Sequence, residues 1–186
     1  MKKNLLITHK INYLKMKRII TSLFLLVIVY SQANAQIDAY KGKEDLRFQI
    51  GANLQKWGTG IVTSLDYGLG QSFSIGAQAG YLLGVKSFAG IDKPGFGDRF
   101  DLKARFNANL GNVIGLPSNV DLYPGLNLGL KNFGGHVGGR VFFDKGFGLF
   151  TEAQFPIAKY NSDAIGYERL NNQFSFNIGV SFDLGK

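Results

Sequence analysis

From Leu46 onward, apolar and polar residues alternate with a period of two, which is typical of β-strands that have two unlike faces. In the clearest run the apolar positions are Phe100, Leu102, Ala104, Phe106, Ala108 and Leu110. Eight such runs predict strands at 46–54, 61–69, 73–81, 99–110, 120–130, 136–143, 147–155 and 174–184. No helical periodicity of any length follows Ala35, so the pattern predicts an all-β protein.

The apolar faces of these eight runs contain no Asp, Glu, Lys, Arg or His. A charged residue facing lipid at the bilayer midplane costs roughly 2–4 kcal/mol in a β-barrel. With the even strand number, this favours an eight-stranded antiparallel up-and-down transmembrane β-barrel. A soluble exported β-sandwich or lipocalin-like carrier has the same alternation with its apolar faces turned inward, and it remains an alternative.

The connections between strands also differ in length. Gly70-Gln71 and Asp144-Lys145-Gly146 predict tight turns on the periplasmic side. Gly84–Asp98 and Ala158–Asn172 predict long loops on the opposite rim. Pro124 lies inside the fifth predicted strand, where it removes a ladder hydrogen bond, so we expect a local bulge there.

Aromatic residues on the apolar faces cluster at the strand ends, as expected for the two interfacial girdles of an outer-membrane barrel. The predicted girdle near the tight turns contains Tyr67, Phe73, Phe143, Phe147 and Phe182. The predicted girdle near the long loops contains Tyr81, Phe100, Phe155 and Phe174.

The residues before the first strand have the layout of a secretory signal peptide. A basic Met16-Lys17-Arg18 segment precedes the apolar stretch Ile19–Tyr30 and an Ala33-Asn34-Ala35 cleavage box. We expect cleavage before Gln36, and Met16 is a candidate for the true start. The predicted organisation is a signal peptide at 1–35, a short periplasmic segment at 36–44 and the barrel at 45–186.

The basic charge of the chain belongs mainly to this leader. The formal net charge is +8, but six of the 21 basic residues precede Gln36, which leaves 15 against 13 acidic residues. The mature part therefore does not favour nucleic-acid binding. It has no cysteine and one histidine, His136, so neither disulfides nor a metal cluster is predicted, and no cofactor is expected.

Charged residues on the polar faces would lie inside the barrel. An eight-stranded barrel is just wide enough for side chains to fill it, so such charges must be paired. We expect a network of mutual salt bridges there. A narrow passive pore for small solutes is the alternative, and an esterase-like pair of His136 with Ser64 or Ser175 is a weaker one. The predicted interior residues are Arg47, Asp66, Arg99, Asp101, Lys103, Arg105, Asp121, His136, Arg140, Glu152 and Asp183.

Three segments resemble a known group of proteins: Ala33-Asn34-Ala35-Gln36, the run Asp121–Gly129 and the ending Phe176–Leu184. They are similar to small outer-membrane β-barrel domain proteins of the porin-like superfamily, which have the size of OmpX and OmpA-type barrels. The resemblance implies export, an outer-membrane location and insertion by the barrel-assembly machinery. It departs from the family at the end of the chain, where a terminal aromatic residue is replaced by Asp183-Leu184-Gly185-Lys186.

Together these patterns predict a non-enzymatic outer-membrane barrel with a structural or surface-interaction role through its extracellular loops. The expected partners are outer-membrane lipid, lipopolysaccharide and the barrel-assembly machinery. Candidate contacts for an unidentified surface ligand are Lys86, Phe88, Lys93 and Phe96.

Overall fold

The computed structural model describes residues 37–86, 93–160 and 166–185. The chain divides between Ala35 and Gln36 into two units, and the fold below belongs to the second, Gln36–Lys186. The predicted signal peptide, Met1–Ala35, lies outside the described residues, as does the loop residue Phe88.

Within the described residues, eight antiparallel strands form one closed barrel in which each strand pairs with its neighbours in the chain. The closing seam joins the first strand to the last, from Arg47–Asp183 to Gln55–Ser175. The predicted all-β, up-and-down architecture is confirmed, and the single closed barrel excludes the sandwich fold of the alternative. The strands are β1 (Leu46–Gln55), β2 (Gly58–Gly68), β3 (Phe73–Val85), β4 (Phe100–Ala108), β5 (Val120–Gly129), β6 (Asn132–Asp144), β7 (Phe147–Lys159) and β8 (Ser175–Asp183).

One short helix, α1 (Phe96–Arg99), lies between β3 and β4, and the alternation pattern did not predict it. Among the described residues, no helix has the length and apolar character needed to cross a membrane. We call the end of the barrel where β1 begins and β8 ends the lower end, and the opposite end the upper end.

The strands turn their apolar faces outward and their polar faces into the lumen. Ile61 and Phe73 are each 50% exposed, whereas Arg47 and Gln49 are 1% exposed. The exposed charged residues of the eight strands are Asp144 and Lys159, which are the last residues of β6 and β7. The core of the barrel is therefore mainly polar, with Val62, Tyr123, Phe142 and Phe150 buried among the polar side chains, and its outer surface is an uncharged band.

The pairing corrects the expectation of a bulge at Pro124. The β5–β6 register runs through the Pro124–Val137 pair without a shift. On the other side, β4–β5 pairing ends at Asn107–Gly125, immediately before Pro124. Because proline has no N–H to donate, an interrupted ladder replaces the expected bulge. The register shifts lie elsewhere, at Thr59/Gly60, Phe133/Gly134 and Phe142/Asp144.

Candidate functional site

The centre of the lumen holds one arginine between two carboxylates. Nη2 of Arg105, on β4, lies 2.6 Å from Oε2 of Glu152 on β7. Its Nε lies 3.2 Å from Oδ1 of Asp66 on β2. All three residues are at most 3% exposed. Because buried charges are stable only when paired, these three strands hold one another through their inward side chains.

His136 lies beside this cluster among amide side chains. Its Nε2 is 2.8 Å from Oδ1 of Asn107, and its Nδ1 is 3.4 Å from Nδ2 of Asn127. Nε2 also lies 3.3 Å from Nη2 of Arg105, so this nitrogen contacts both an acceptor, Oδ1 of Asn107, and a guanidinium donor. The geometry therefore makes His136 a member of the polar network.

The structure does not assemble the predicted serine–histidine pair. Ser64 Oγ donates instead to Oε1 of Gln49 at 3.1 Å. Ser175 is separated from His136 by β7, where Gln154 pairs with both residues. A nucleophile must lie within hydrogen-bond reach of its base, so neither serine has the geometry of an activated one.

Amide side chains complete the coordination of Glu152, and they were missing from the predicted interior set. Its Oε1 accepts from Gln154 at 2.6 Å, from Gln78 at 3.3 Å and from Asn177 at 3.4 Å. These residues occupy the same inward positions as the predicted charges, so strand alternation contained the signal. The predicted interior set was limited to titratable residues and therefore omitted these amides.

Two further ion pairs lie on either side of the centre. Toward the upper end, Lys103 Nζ lies 3.5 Å from Oδ2 of Asp101. Toward the lower end, Arg140 Nη2 lies 2.8 Å from Oδ2 of Asp121. The Arg140 guanidinium also lies 4.9 Å from the ring centroid of the buried Tyr123, a cation–π distance.

Arg99 is the predicted interior residue that the structure places elsewhere. It is the last residue of α1, at the upper rim, and its Nε donates to the carbonyl of Pro94 at 3.2 Å. β4 begins only at Phe100, so strand alternation does not decide where the Arg99 side chain points. Its inclusion in the interior set was wrong.

The lower end is covered by residues 37–45, which we call the lower cap. Arg47 makes a two-point contact with Asp45, at 2.6 and 2.7 Å, and lies 3.3 Å from Oδ2 of Asp183. Lys41 Nζ contacts the same Asp183 oxygen at 2.8 Å. The segment predicted to be a short periplasmic extension is thus bound to the barrel by buried ion pairs.

Tyr40 fixes the middle of the lower cap. Its hydroxyl lies 2.7 Å from the carbonyl oxygen of Gly70 and 2.6 Å from that of Phe73, at the β2–β3 turn. The residue is 4% exposed. Burial, followed by the charge of Asp45, raises the pKa of Tyr40 to about 12. The phenol therefore remains a neutral hydrogen-bond donor.

The upper end is covered by residues 166–172, which we call the upper lid. Leu82, Tyr167 and Leu170 form a buried apolar cluster, and Trp57 and Val85 pack against it. Asn171 Nδ2 donates to the carbonyl of Arg99 at 3.1 Å. This cluster is the apolar counterpart of the ionic contacts at the lower end.

The nine predicted girdle residues lie on the outer surface near the strand ends. Several form ring contacts: Phe147 lies 5.8 Å from Phe182, and Phe73 lies 5.6 Å from Phe106. At the upper rim, Phe96 of α1 joins Phe100 at 5.5 Å and Tyr81 at 5.3 Å. Phe96 was predicted only as a loop contact. Six of the girdle residues are 41–61% exposed, and Tyr81, Phe100 and Phe182 are half-buried; the full set is Tyr67, Phe73, Tyr81, Phe100, Phe143, Phe147, Phe155, Phe174 and Phe182.

A small space lies among the polar side chains in the upper part of the lumen. A cavity lined by Gln78, Lys103 and Gln154 measures about 20 Å³. One water needs about 10–15 Å³ of such volume, so this space accommodates one or two waters. In the part of the chain that the structure describes, no three His, Cys, Asp or Glu side chains are grouped to hold a metal ion.

Comparison with known proteins places this barrel in a family without assigning it an activity. A search of curated proteins gave no match. A family match spans residues 28–184, which includes all eight strands, both end-covering segments and the final residues of the predicted signal peptide. The chain belongs to the family of unknown function DUF6646.

Proposed function

We propose that the mature chain is a non-enzymatic β-barrel that spans an outer membrane and acts through a structural or surface-interaction role of its loops. This proposal rests on the direction of the strand faces, because the polar faces point inward and the apolar faces point outward, the reverse of a water-soluble protein. Buried charges fill the lumen, while Ile50, Leu65, Leu126 and Ile178 are each more than 40% exposed on the outer surface. In water, a continuous apolar band of this kind is an aggregation site, whereas lipid solvates it.

The arrangement of the ends supports an orientation in the membrane. Both ends of the strand sequence, and the tight turn of Gly70-Gln71, lie at the lower end. The connections that contain α1 and the upper lid lie at the upper end. Bacterial barrels have short periplasmic turns and longer external loops, so the lower end faces the periplasm and the upper end faces outside. Residues 1–35 serve as the cleaved export signal in this proposal.

We further propose that the lumen does not conduct. Its support is the interlocked packing around Arg105 and the presence of a covering segment at each end. A narrow passive pore requires a continuous water path, and the central pairs of Arg105 with Glu152 and Asp66 cross that path. Outer-membrane lipid, lipopolysaccharide and the barrel-assembly machinery are the proposed partners.

Heat-dependent gel mobility of the outer-membrane fraction tests the location and the fold together. We expect the protein in that fraction, with faster migration before boiling than after it, because a closed barrel resists detergent. Recovery in the aqueous fraction without detergent and without a mobility shift would refute the membrane proposal. Planar-bilayer recording of the purified barrel then tests the lumen, and steady single-channel conductance would favour the pore.

A further inference from the structure

A cationic cluster surrounds the single tryptophan of the chain at the upper rim. Lys56 Nζ lies 5.1 Å from the centroid of the Trp57 ring, and Lys86 Nζ lies 5.6 Å from it. Both lysines are exposed, and the two residues come from the β1–β2 and β3–β4 connections. A backbone hydrogen bond from Lys86 N to the carbonyl of Trp57 holds the connections together at 3.0 Å. Two like charges beside one ring repel each other, and an anion between them relieves that repulsion.

A cavity lies beside Trp57. It measures about 170 Å³ and is lined by Trp57 together with residues 166–170 of the upper lid. A cavity of about 150 Å³ accommodates a six-membered ring. Its lining combines an aromatic wall, Trp57, with a cation, Arg169, and a carboxylate, Glu168. This mixture suits a ring that has both an apolar face and polar substituents.

Glu168 is held as an anion in this lining. Its Oε1 accepts the N–H of Gly166 at 2.8 Å, and this contact lowers the pKa of the Glu168 carboxyl below its usual range. A carboxylate accepts hydrogen bonds from hydroxyl groups and repels phosphate. The carboxylate in this lining therefore suits sugar hydroxyls. Lys56 and Lys86, which lie outside the lining but beside the same Trp57 ring, suit a phosphate.

The two ends of the barrel carry opposite charge. By sequence, the upper connections and strand ends carry seven basic residues and four acidic ones, of which Asp92 and Asp163 lie outside the described residues. The lower cap, the β6–β7 turn and the end of β8 carry five acidic residues and three basic ones. The described upper residues are Lys56, Lys86, Lys93, Arg99, Lys131, Lys159 and Arg169, with Asp98 and Glu168. The upper rim thus complements an anionic surface.

We propose that Trp57, Lys56, Lys86 and Arg169 bind a phosphorylated sugar of the lipopolysaccharide headgroup in the outer leaflet. The sugar ring stacks on Trp57, its hydroxyls donate to Glu168, and its phosphate lies between the two lysines and Arg169. This inference rests on the proposed orientation, with the upper end outside. It deepens that proposal by naming the residues through which the barrel contacts its lipid.

Tryptophan fluorescence tests the site directly, because Trp57 is the only tryptophan of the chain. The full mature barrel in zwitterionic detergent micelles is titrated with purified lipopolysaccharide, with dephosphorylated lipopolysaccharide and with inorganic phosphate. We expect a saturable change with lipopolysaccharide and at least tenfold weaker responses to the other two. An equal response to dephosphorylated lipopolysaccharide or to inorganic phosphate would overturn the assignment.

A matched pair of double variants locates the contact. We expect Lys56→Gln with Lys86→Gln to weaken binding about tenfold, which corresponds to ~1.4 kcal/mol. Lys131→Gln with Lys159→Gln removes the same charge from the same rim away from Trp57, and we expect less than a twofold change. Equal weakening by the two pairs would mean a diffuse charge effect and no site. Heat-dependent mobility of each variant shows that its barrel is intact, so a failed site is distinguished from a failed membrane proposal.

Discussion

The two ends of the barrel are closed by different chemistry. At the lower end, Arg47 holds Asp45 and Asp183, and all three side chains are at most 2% exposed. At the upper end, Leu82 and Leu170 meet in an apolar cluster with Tyr167. The lower contacts are few, directional and dependent on charge, whereas the upper contacts are non-directional and depend on the area removed from water.

This difference separates a fixed end from an adaptable one. Removing one member of a buried ion pair leaves an uncompensated charge, so the lower cap tolerates little change. An apolar cluster loses stability in proportion to the atoms removed, and its backbone can shift. The adaptable end is the one proposed to contact the outside, and the fixed end contains the start of β1 and the end of β8.

The largest effect is expected from Arg47→Ala, which breaks the lower end. The buried Asp45 loses its cation and Asp183 keeps only the partly exposed Lys41, so the free energy of unfolding falls by about 3–5 kcal/mol. Urea unfolding in detergent micelles measures this loss. Lys43→Ala serves as the control, because Lys43 is largely exposed and 4.0 Å from Glu44, so we expect under about 0.5 kcal/mol. Equal losses for the two variants would contradict a buried ionic closure.

Leu170→Ala tests the upper end by a smaller disruption. The buried leucine loses its contacts with Leu82, and we expect a loss of about 2 kcal/mol, at the low end of the range for buried leucines. The lid then opens locally, so trypsin cleaves faster after Arg169 while cleavage of the lower cap is unchanged. Val113→Ala removes an exposed side chain and is the control. Faster cleavage at both ends would show that the two closures are coupled.

Tyr40→Phe sharpens the comparison through pH. Loss of the hydroxyl costs about 1 kcal/mol near neutral pH. The folded-state pKa of about 12 lies above the ordinary value of 10.0, so the folded barrel holds the phenol proton more tightly than the unfolded chain. The protonated phenol therefore contributes its full stabilisation below pH 10, and this stabilisation is lost as the pH rises toward 12. Between these values the wild type should lose more stability than Tyr40→Phe; parallel curves would refute the assignment. The exposed Tyr160→Phe is the control.

The smallest effect is expected from Lys41→Met. Lys41 is 39% exposed and shares Asp183 with Arg47, so its removal should cost under about 1 kcal/mol. Raising the salt concentration should reduce the difference between the variant and the wild type, since exposed pairs are screened. A loss as large as that of Arg47→Ala would mean that the outer pair, and not the buried one, holds the cap.

Strand number and the division of residues between two faces followed from alternation. The outward direction of the apolar faces was inferred from the absence of charged residues on them, the connection lengths and the aromatic residues at the strand ends. The inward positions of Arg47, Arg105 and Glu152 are fixed by the two-residue repeat, since a one-residue slip would turn every charge outward. Alternation predicts side-chain direction only within a strand. Arg99 was assigned wrongly because it is the last residue of α1 and β4 begins at Phe100. At Pro124, the sequence identified the lost hydrogen bond but not how the sheet accommodates it.

Neither end-covering segment was predictable from periodicity. Tyr40 is buried by carbonyl groups of the β2–β3 turn, and Leu170 is buried against Leu82 at the top of β3. Both contacts join parts of the chain that are distant in sequence, so the alternation within a single strand does not indicate them. The contacts of Trp57 with Lys56 and Lys86 were unpredictable for the same reason, because they join the β1–β2 and β3–β4 connections.

Asp183 has a consequence for the order of folding. It belongs to the last strand, yet its partners are Arg47 in the first strand and Lys41 ahead of it. The lower cap therefore cannot acquire its full set of counter-ions until β8 has emerged and paired with β1, a contact that carries a large loop-closure cost. Protection of the N-terminal segment from protease thus reports the final step of assembly, and a chain that stalls before this step leaves the segment open to degradation.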